Sequence, residues 1–362
     1  MEKPRIAVVG AGLIGKTHAS LISESEECVL AAIVDPRDAT DELAKTLGVP
    51  RLKDFDALLL KDDLDGVIIA TPNHFHVEQG IRCLKANLPA LIEKPVAHNY
   101  AEGERLRAAA ETSTTPLLVG HHRMHSPIMG SAREFIDSGA LGKLVSISGS
   151  ALFLKPDDYF VAGEWRTRPG GGPILINMIH EIGNLRYLCG EIVAVQAISS
   201  HAQRGYAVED TVGMVFSFAN GAIGTFVLSD TAGSARSWEQ TSQEDRRYPS
   251  YSDEDCYHIA GTDGSISLPT MRVKRYPNQD ERSWWKPFKC SSIEINREDP
   301  LKAQLSHFCQ VIQGNLKPRV SVHDALQNLL ITDAIVEAAS CGRTVDIKQF
   351  RKHLLDNTMN SA

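Results

Sequence analysis

Over the first third of the chain, short apolar runs alternate with longer stretches of helical periodicity. Residues 6–9, 29–34, 67–69, 91–92 and 117–119 are nearly unbroken Val, Ile, Leu and Ala, the pattern of parallel strands buried on both faces. The intervening segments suit crossover helices. Within residues 74–86, Val77, Ile81 and Leu84 recur on one face while Glu78, Arg82 and Lys85 turn elsewhere, and Asn87 supplies a stop. This alternation predicts an α/β domain built on a doubly wound parallel sheet.

Beyond Gly120 the pattern changes, which puts a boundary near Arg123 and divides the chain into residues 1–123 and 124–362 without a Pro/Gly/Ser-rich linker. The second part predicts a helix over 128–138, a strand over 144–153, a glycine turn at Gly170-Gly171-Gly172 and a long helix running through His180. Strand patterns dominate after that. Residues 211–218 and 223–229 flank Asn220-Gly221, and residues 258–261 and 265–268 flank Asp263-Gly264, two hairpin signals that imply a large open, mainly antiparallel or mixed sheet. Two closing helices are expected, over 300–313 and from Ser321, whose hydroxyl pairs with Asp324 in the manner of a capping box. Residues 235–255 are polar and rich in charge, with several aromatics, and read as a long loop over a site.

Length and composition narrow the function classes. A chain of 362 residues suits about two compact units. With 43% hydrophobic and 23% charged residues it has an ordinary soluble composition, and no run approaches the ~18 apolar residues of a membrane span. The first residues lack a secretory leader pattern, so a cytoplasmic location is expected. Seven cysteines with no Cys-x-x-Cys spacing argue against a disulfide framework and a thiolate metal site. A net charge of -7, without a long Lys/Arg run, disfavours nucleic acid as a partner and leaves a small molecule as the expected ligand.

The chemistry-bearing motifs sit at strand ends. Gly10-Ala11-Gly12-Leu13-Ile14-Gly15 follows a strand and opens a helix, where glycines let a pyrophosphate approach the helix N-terminal amides; Asp35 ends the next strand, placed to bind an adenosine ribose. A glycine-rich turn with a loop aspartate is the plainer alternative. Thr71-Pro72-Asn73 and His76 lie beyond the fourth strand at the ligand-binding edge of such sheets, although all four also serve turns and caps. Glu93-Lys94-Pro95 ends the fifth strand at that edge. A lysine set in a cleft can exchange a proton with a substrate oxygen, whereas most lysines are solvated surface charges.

With Ala70-Thr71-Pro72-Asn73, Glu93-Lys94-Pro95, Val119-Gly120 with Arg123, Trp165-Arg166 and Gly170-Gly171-Gly172 leading to His180, the sequence resembles the glucose-fructose oxidoreductase / inositol dehydrogenase (Gfo/Idh/MocA) family over nearly its whole length. The resemblance implies a Rossmann domain, a C-terminal open sheet used in homodimer or homotetramer contacts, and hydride transfer with a nicotinamide cofactor. It implies Lys94 as acid/base, Glu93 beside the nicotinamide ribose, His180 beside the reacting group, and a cis bond between Lys94 and Pro95. Further pocket positions implied by it are His122, Arg123, Trp165 and Arg166. NAD is the expected cofactor, since Asp35 repels a 2'-phosphate, while Arg37 two residues on leaves NADP open.

The chain departs from the family pattern beside His180. Ile176 stands where relatives carry an aspartate, Asn177 lies three residues before His180, and Gly183 replaces a further acid. Asn177 still reaches the same helix face and a substrate hydroxyl, but a neutral amide cannot raise the histidine pKa by charge. The expected activity is a dehydrogenase or reductase acting on a CH–OH group of a sugar, sugar acid or cyclitol. A dehydrogenase of cyclic cis-dihydrodiol carboxylates and a non-catalytic dinucleotide sensor are the alternatives. A metal site is not expected: His121, His122 and His125 cluster, but His180-Glu181 lacks the second histidine of a zinc motif because Asn184 stands there. Trp238, Tyr251, Tyr257, Trp284 and Trp285 suit either a pocket or core and interface packing.

Overall fold

A computed structural model describes residues 2–359, in two units. The first comprises, among the described residues, 2–125 and 300–329. Its six-stranded sheet has β1 (Arg5–Val9), β2 (Val29–Val34), β3 (Arg51–Leu52), β4 (Gly66–Ile69), β5 (Ala90–Glu93) and β6 (Leu117–Gly120) in the order β3-β2-β1-β4-β5-β6, all neighbours parallel. The order reverses between β1 and β4, which opens the crevice where such sheets bind ligands. The strands form here because their Val, Ile, Leu and Ala side chains are covered on both faces, from Ile6 through Val119. The expected helix over 74–86 is a 3₁₀ turn, Asn73–Phe75, continuing as the α-helix His76–Lys85. Asn87, at φ 54°, takes the left-handed conformation beyond its end.

The boundary near Arg123 requires a correction at the other end of the chain. Residues 300–329 belong with the first unit, where Leu305, Phe308 and Cys309 of the helix Pro300–Ile312 pack with Ile6, Val8, Leu30 and Ile33. The physical reason is burial: Phe308 and Cys309 are fully enclosed, and those apolar strand faces would otherwise meet water. Farther along, the backbone N–H of Val119 donates to the Val320 carbonyl, tying the returning chain to β6. Ser321 and Asp324 form their reciprocal cap at the start of the helix Val322–Cys341.

The second unit, residues 126–299 and 330–359 among those described, is built on a nine-stranded sheet. Its strands are β7 (Leu144–Leu152), β8 (Ile192–Ser200), β9 (Thr211–Phe218), β10 (Ile223–Ser229), β11 (Tyr257–Gly261), β12 (Gly264–Leu268), β13 (Arg272–Arg275), β14 (Lys289–Ser292) and β15 (Val345–Asp346), in the order β14-β13-β12-β11-β7-β10-β9-β8-β15. Only β7 and β10 pair in parallel, so the sheet is mixed and mostly antiparallel. Both expected hairpins are present. Strict alternation gives the sheet a covered face, with Val212, Met214, Phe216, Phe226, Leu228 and Ile259, and an open one, with Ile198, Val215, Ile223 and Val227 exposed. Residues 235–255 are less loop-like than their polarity predicts. Ser237 caps a short helix, Trp238–Thr241, and Trp238 and Glu244 are buried and hydrogen-bonded to each other.

Among the described residues, no helix is long and apolar enough to cross a membrane. No group of three or more His, Cys, Asp or Glu side chains among them comes together as a metal site.

Candidate active site

The glycine motif forms a tight turn between β1 and the helix Leu13–Glu24. Gly10 has φ +93°, and a Cβ there would lie 2.6 Å from the Ala70 carbonyl oxygen; one on Gly15 would meet the Gly10 carbonyl at 1.8 Å. Close backbone approach therefore demands both glycines. Gly12 is different, because the space before it is open, and it caps the helix with no side chain. No acid lies in the first turn, Leu13 is largely exposed and Ile14 lies at the helix start. This cradle fits a dinucleotide pyrophosphate.

Asp35 ends β2 with its side chain fixed from three directions. Oδ2 accepts from the Ala11 backbone N–H at 2.8 Å, while the Arg37 guanidinium donates to Oδ1 and Oδ2, each at 2.8 Å. The Arg37 hydrogen bonds hold this carboxyl well below the usual carboxylate range. Arg51, from β3, donates to the Asp35 carbonyl and pairs with Asp38 and Asp41, so a second guanidinium borders the same edge. Neither the short β3 nor Arg51 was legible, since two residues carry no periodicity.

At the next strand end the Thr71 hydroxyl donates to Gln79 Oε1 at 2.7 Å, Pro72 is exposed, and Asn73 opens the 3₁₀ turn. His76 is buried, with its ring nitrogens 2.8 Å from the carbonyls of Pro95 and Thr71. It clamps these two strand-end loops together. Burial lowers its pKa despite the two carbonyls, and a neutral ring donates to only one of them.

Glu93 is buried at the end of β5. Its Oε1 lies 2.8 Å from His18 Nε2 and its Oε2 accepts from the Lys94 backbone N–H at 3.2 Å. The Lys94–Pro95 bond is cis. His18 was missed, yet a signal existed: Gly15, His18, Ala19 and Ile22 form the inward stripe of their helix, and a histidine on such a stripe needs a partner. His122 is held well below its usual pKa by burial, with the positive charges of Arg123 and Lys94 adding to the effect. His122 and Lys94 thus lie within electrostatic reach of each other, and the buried Arg123 follows in the same turn, His122–His125.

In the second unit the glycine turn serves the helix after it. Gly172 has φ +80°, and a Cβ there would lie 2.6 Å from Glu209 Oε1, the atom that accepts from the Ile174 backbone N–H at 2.8 Å. Glu209 thereby caps a π-helical turn, Ile174–Met178, that runs into the helix Ile179–Cys189. The expected single helix is interrupted by this wide turn, a feature frequent at functional sites. Asn177 lies in the π turn and His180 in the first turn of the α-helix, where it is buried. Glu181 is buried beside it and accepts from Tyr257, whose hydroxyl also accepts from Asn184.

Asn177 lines a cleft of about 710 Å³ formed within this unit by residues of 153–159, just beyond β7, with Asn177 and residues from 233–251. Its volume suits a small-molecule ligand. Lys155, beyond the end of β7, donates to Asn177 Oδ1 at 2.7 Å, lies 3.8 Å from Asp230 Oδ2, and stands over the rings of Tyr159 and Phe153. Asp230, whose pKa is raised by burial, is also bonded by Arg204 Nε at 2.9 Å. Sequence reading overlooked Lys155, Tyr159, Arg204 and Asp230, which are dispersed in the chain; the available signal was a Lys-Pro step ending a strand between aromatics. Arg166 and Trp165 do not line this cleft. The Arg166 guanidinium stacks on Tyr159 at 3.9 Å and hydrogen-bonds the Tyr159 carbonyl, and Trp165 is exposed.

A glycine cradle at a helix N-terminus with an ionised aspartate closing the second strand defines a dinucleotide-binding unit, and the second unit adds a cleft whose volume would suit a small molecule. Residues 4–121 match the pattern described as an oxidoreductase family with an NAD-binding Rossmann fold, and residues 129–267 match the GFO/IDH/MocA C-terminal domain; the chain belongs to the GFO/IDH/MocA oxidoreductase family. It is 26% identical to the rhizopine catabolism protein MocA of Rhizobium meliloti, across 94% of this chain and 96% of that protein. It is 25% identical to myo-inositol 2-dehydrogenase of Thermotoga maritima, across 95% and 99%. An oxidoreductase from Agrobacterium radiobacter, solved with NAD+, L-tartaric acid and magnesium, shares the fold at a TM-score of 0.80 and 20% identity, across 96% and 99% of the two chains.

Proposed function

We propose that this protein is an NAD-dependent dehydrogenase or reductase acting on a secondary alcohol or ketone of a sugar, sugar acid or cyclitol. The observation that carries the reading is the strand-end constellation: an anchored Glu93, Lys94 next to it, and the glycine cradle with Asp35 on the same sheet edge. When bound, the nicotinamide supplies the hydride acceptor or donor. Gly10, Gly12, Leu13, Ile14 and Gly15 hold the pyrophosphate, Asp35 receives the ribose hydroxyls, and Thr71, Pro72, Asn73 and His76 shape the wall beside them. Glu93 orients the second ribose. Lys94 takes the proton of the substrate hydroxyl, with neutral His122 within electrostatic reach of it.

His180 positions the reacting group, and Asn177 binds a neighbouring substrate oxygen. His122 and Arg123 border Lys94, while Trp165 and Arg166 support the Tyr159 wall of the cleft. The relatives named for inositol oxidation and rhizopine catabolism favour this reading over a cyclic dihydrodiol dehydrogenase and over a non-catalytic sensor. The exposed Ile198, Val215, Ile223 and Val227 on the open sheet face support a homo-oligomer in which a second copy covers that face, and sedimentation of the intact protein measures it. A cytoplasmic location fits free cysteines that are mostly buried, and cell fractionation checks it. The function is tested by incubating the enzyme and NAD with polyols, sugar acids and cyclitols and following NADH formation. Turnover of at least one of them is expected; NAD binding without turnover over the whole panel contradicts the reading.

A further inference from the structure

Lysine has only donors, so the atom of Asn177 that faces Lys155 Nζ at 2.7 Å is the amide oxygen, and the orientation of this amide is not arbitrary. The –NH₂ of Asn177 therefore points away from Lys155 as a donor, and both residues line the same cleft. An aspartate here would offer acceptors; the asparagine–lysine pair offers an amide donor beside an ammonium. Lys155 is itself held in place by Asp230 at 3.8 Å and by the rings of Tyr159 and Phe153, with only 11% of its side chain exposed. Glu239 is the only carboxylate on the lining and comes from the separate segment 233–251, where it can accept from sugar hydroxyls.

We infer that Lys155 and Asn177 form a carboxylate-recognition pair, and that the substrate is a sugar acid rather than a neutral sugar or cyclitol. An ammonium and an amide donor side by side on one cleft suit a carboxylate, which accepts at both oxygens and donates nothing. The inference rests on the dehydrogenase reading and deepens it, but its recognition arm is separable from turnover.

The experiment pairs uronates and aldonates with the matching neutral sugars and alditols. It measures equilibrium binding by calorimetry to the intact protein saturated with NAD, and NADH formation in parallel. At least one acid is expected to bind about tenfold or more tightly than its neutral counterpart. Lys155→Met is expected to reduce that acid-to-neutral ratio by about 10- to 100-fold, Lys155→Arg to retain most of it, and Asn177→Asp, which keeps an acceptor for Lys155 but removes the donor, to lower it as well. A merely structural lysine would not move the ratio. If no acid binds better than its neutral partner, or the ratio survives Lys155→Met, the inference is overturned. Discriminated binding of acids without NADH formation would overturn the dehydrogenase reading alone, and turnover confined to neutral polyols would overturn the carboxylate pair alone.

Discussion

The glycine cradle and the cleft beside Asn177 are built by opposite means. The cradle is mostly backbone: glycines, first-turn amides and one aspartate, all within residues 10–35, with Gly10 and Gly15 fixed by sterics and Asp35 by hydrogen bonds. The cleft is mostly side chains, drawn from residues of 153–159 beyond β7, a π-helical turn and the distant segment 233–251 with its short helix. A backbone site constrains its own sequence, and so it is shared across a family that binds one cofactor. A side-chain site can be rewritten one residue at a time, and so it can follow the substrate.

If this contrast holds, substitutions in the cradle act through geometry and those around the cleft through charge. The largest effect is expected from Gly10→Ala, which forces an L side chain to φ +93° and a Cβ to within 2.6 Å of the Ala70 carbonyl. Backbone strain of this kind amounts to about 1–3 kcal/mol, and displacement of the turn should weaken NAD binding by on the order of 100-fold, as titration of the variant would show. Affinity within threefold of wild type would mean the cradle is more tolerant than its contacts indicate. Asp35→Ala comes next. Releasing Arg37 and removing the carboxylate should shift the NADP-to-NAD ratio of kcat/KM upward by roughly tenfold or more, and an unchanged ratio would remove Asp35 from cofactor choice.

The smallest expected effect lies under the π turn. Burial raises the Glu209 pKa above its usual value, so the stability this group contributes is fully present below the unfolded pKa and is lost as pH rises through the folded one. Glu209→Gln keeps an oxygen for the Ile174 N–H and removes the titration. Its unfolding midpoint should therefore decline less than that of wild type as pH is raised from the ordinary carboxylate range toward neutrality, a difference that thermal melts across pH can resolve. Parallel melting curves would mean Glu209 does not titrate in that window.

The same contrast explains what could be read from the sequence. The parallel strands, the glycine turn and the Asn220-Gly221 hairpin were legible because each is set by neighbours in the chain. Residues 300–329 were assigned to the wrong unit because the amphipathic pattern of Leu305, Phe308 and Cys309 says that a face is buried but not against what. His18 escaped for a related reason, its partner Glu93 being seventy-five residues away. Lys155 could not be tied to Asn177 without the fold, and the interruption of the helix at Ile174–Met178 leaves no periodicity to detect.

The central claim is that Lys94 carries the proton in an NAD-dependent hydride transfer, and replacing it with methionine tests this most directly. Methionine keeps much of the stem while removing the titrating group. With a substrate identified from the panel, NAD affinity should stay near wild type while kcat falls by about 10²–10⁴-fold, the loss expected when acid/base catalysis is removed. His180→Ala, measured alongside it, should lower kcat by less. A Lys94→Met enzyme that binds NAD normally and retains near wild-type kcat, or a His180→Ala enzyme that is far more impaired, would contradict the account.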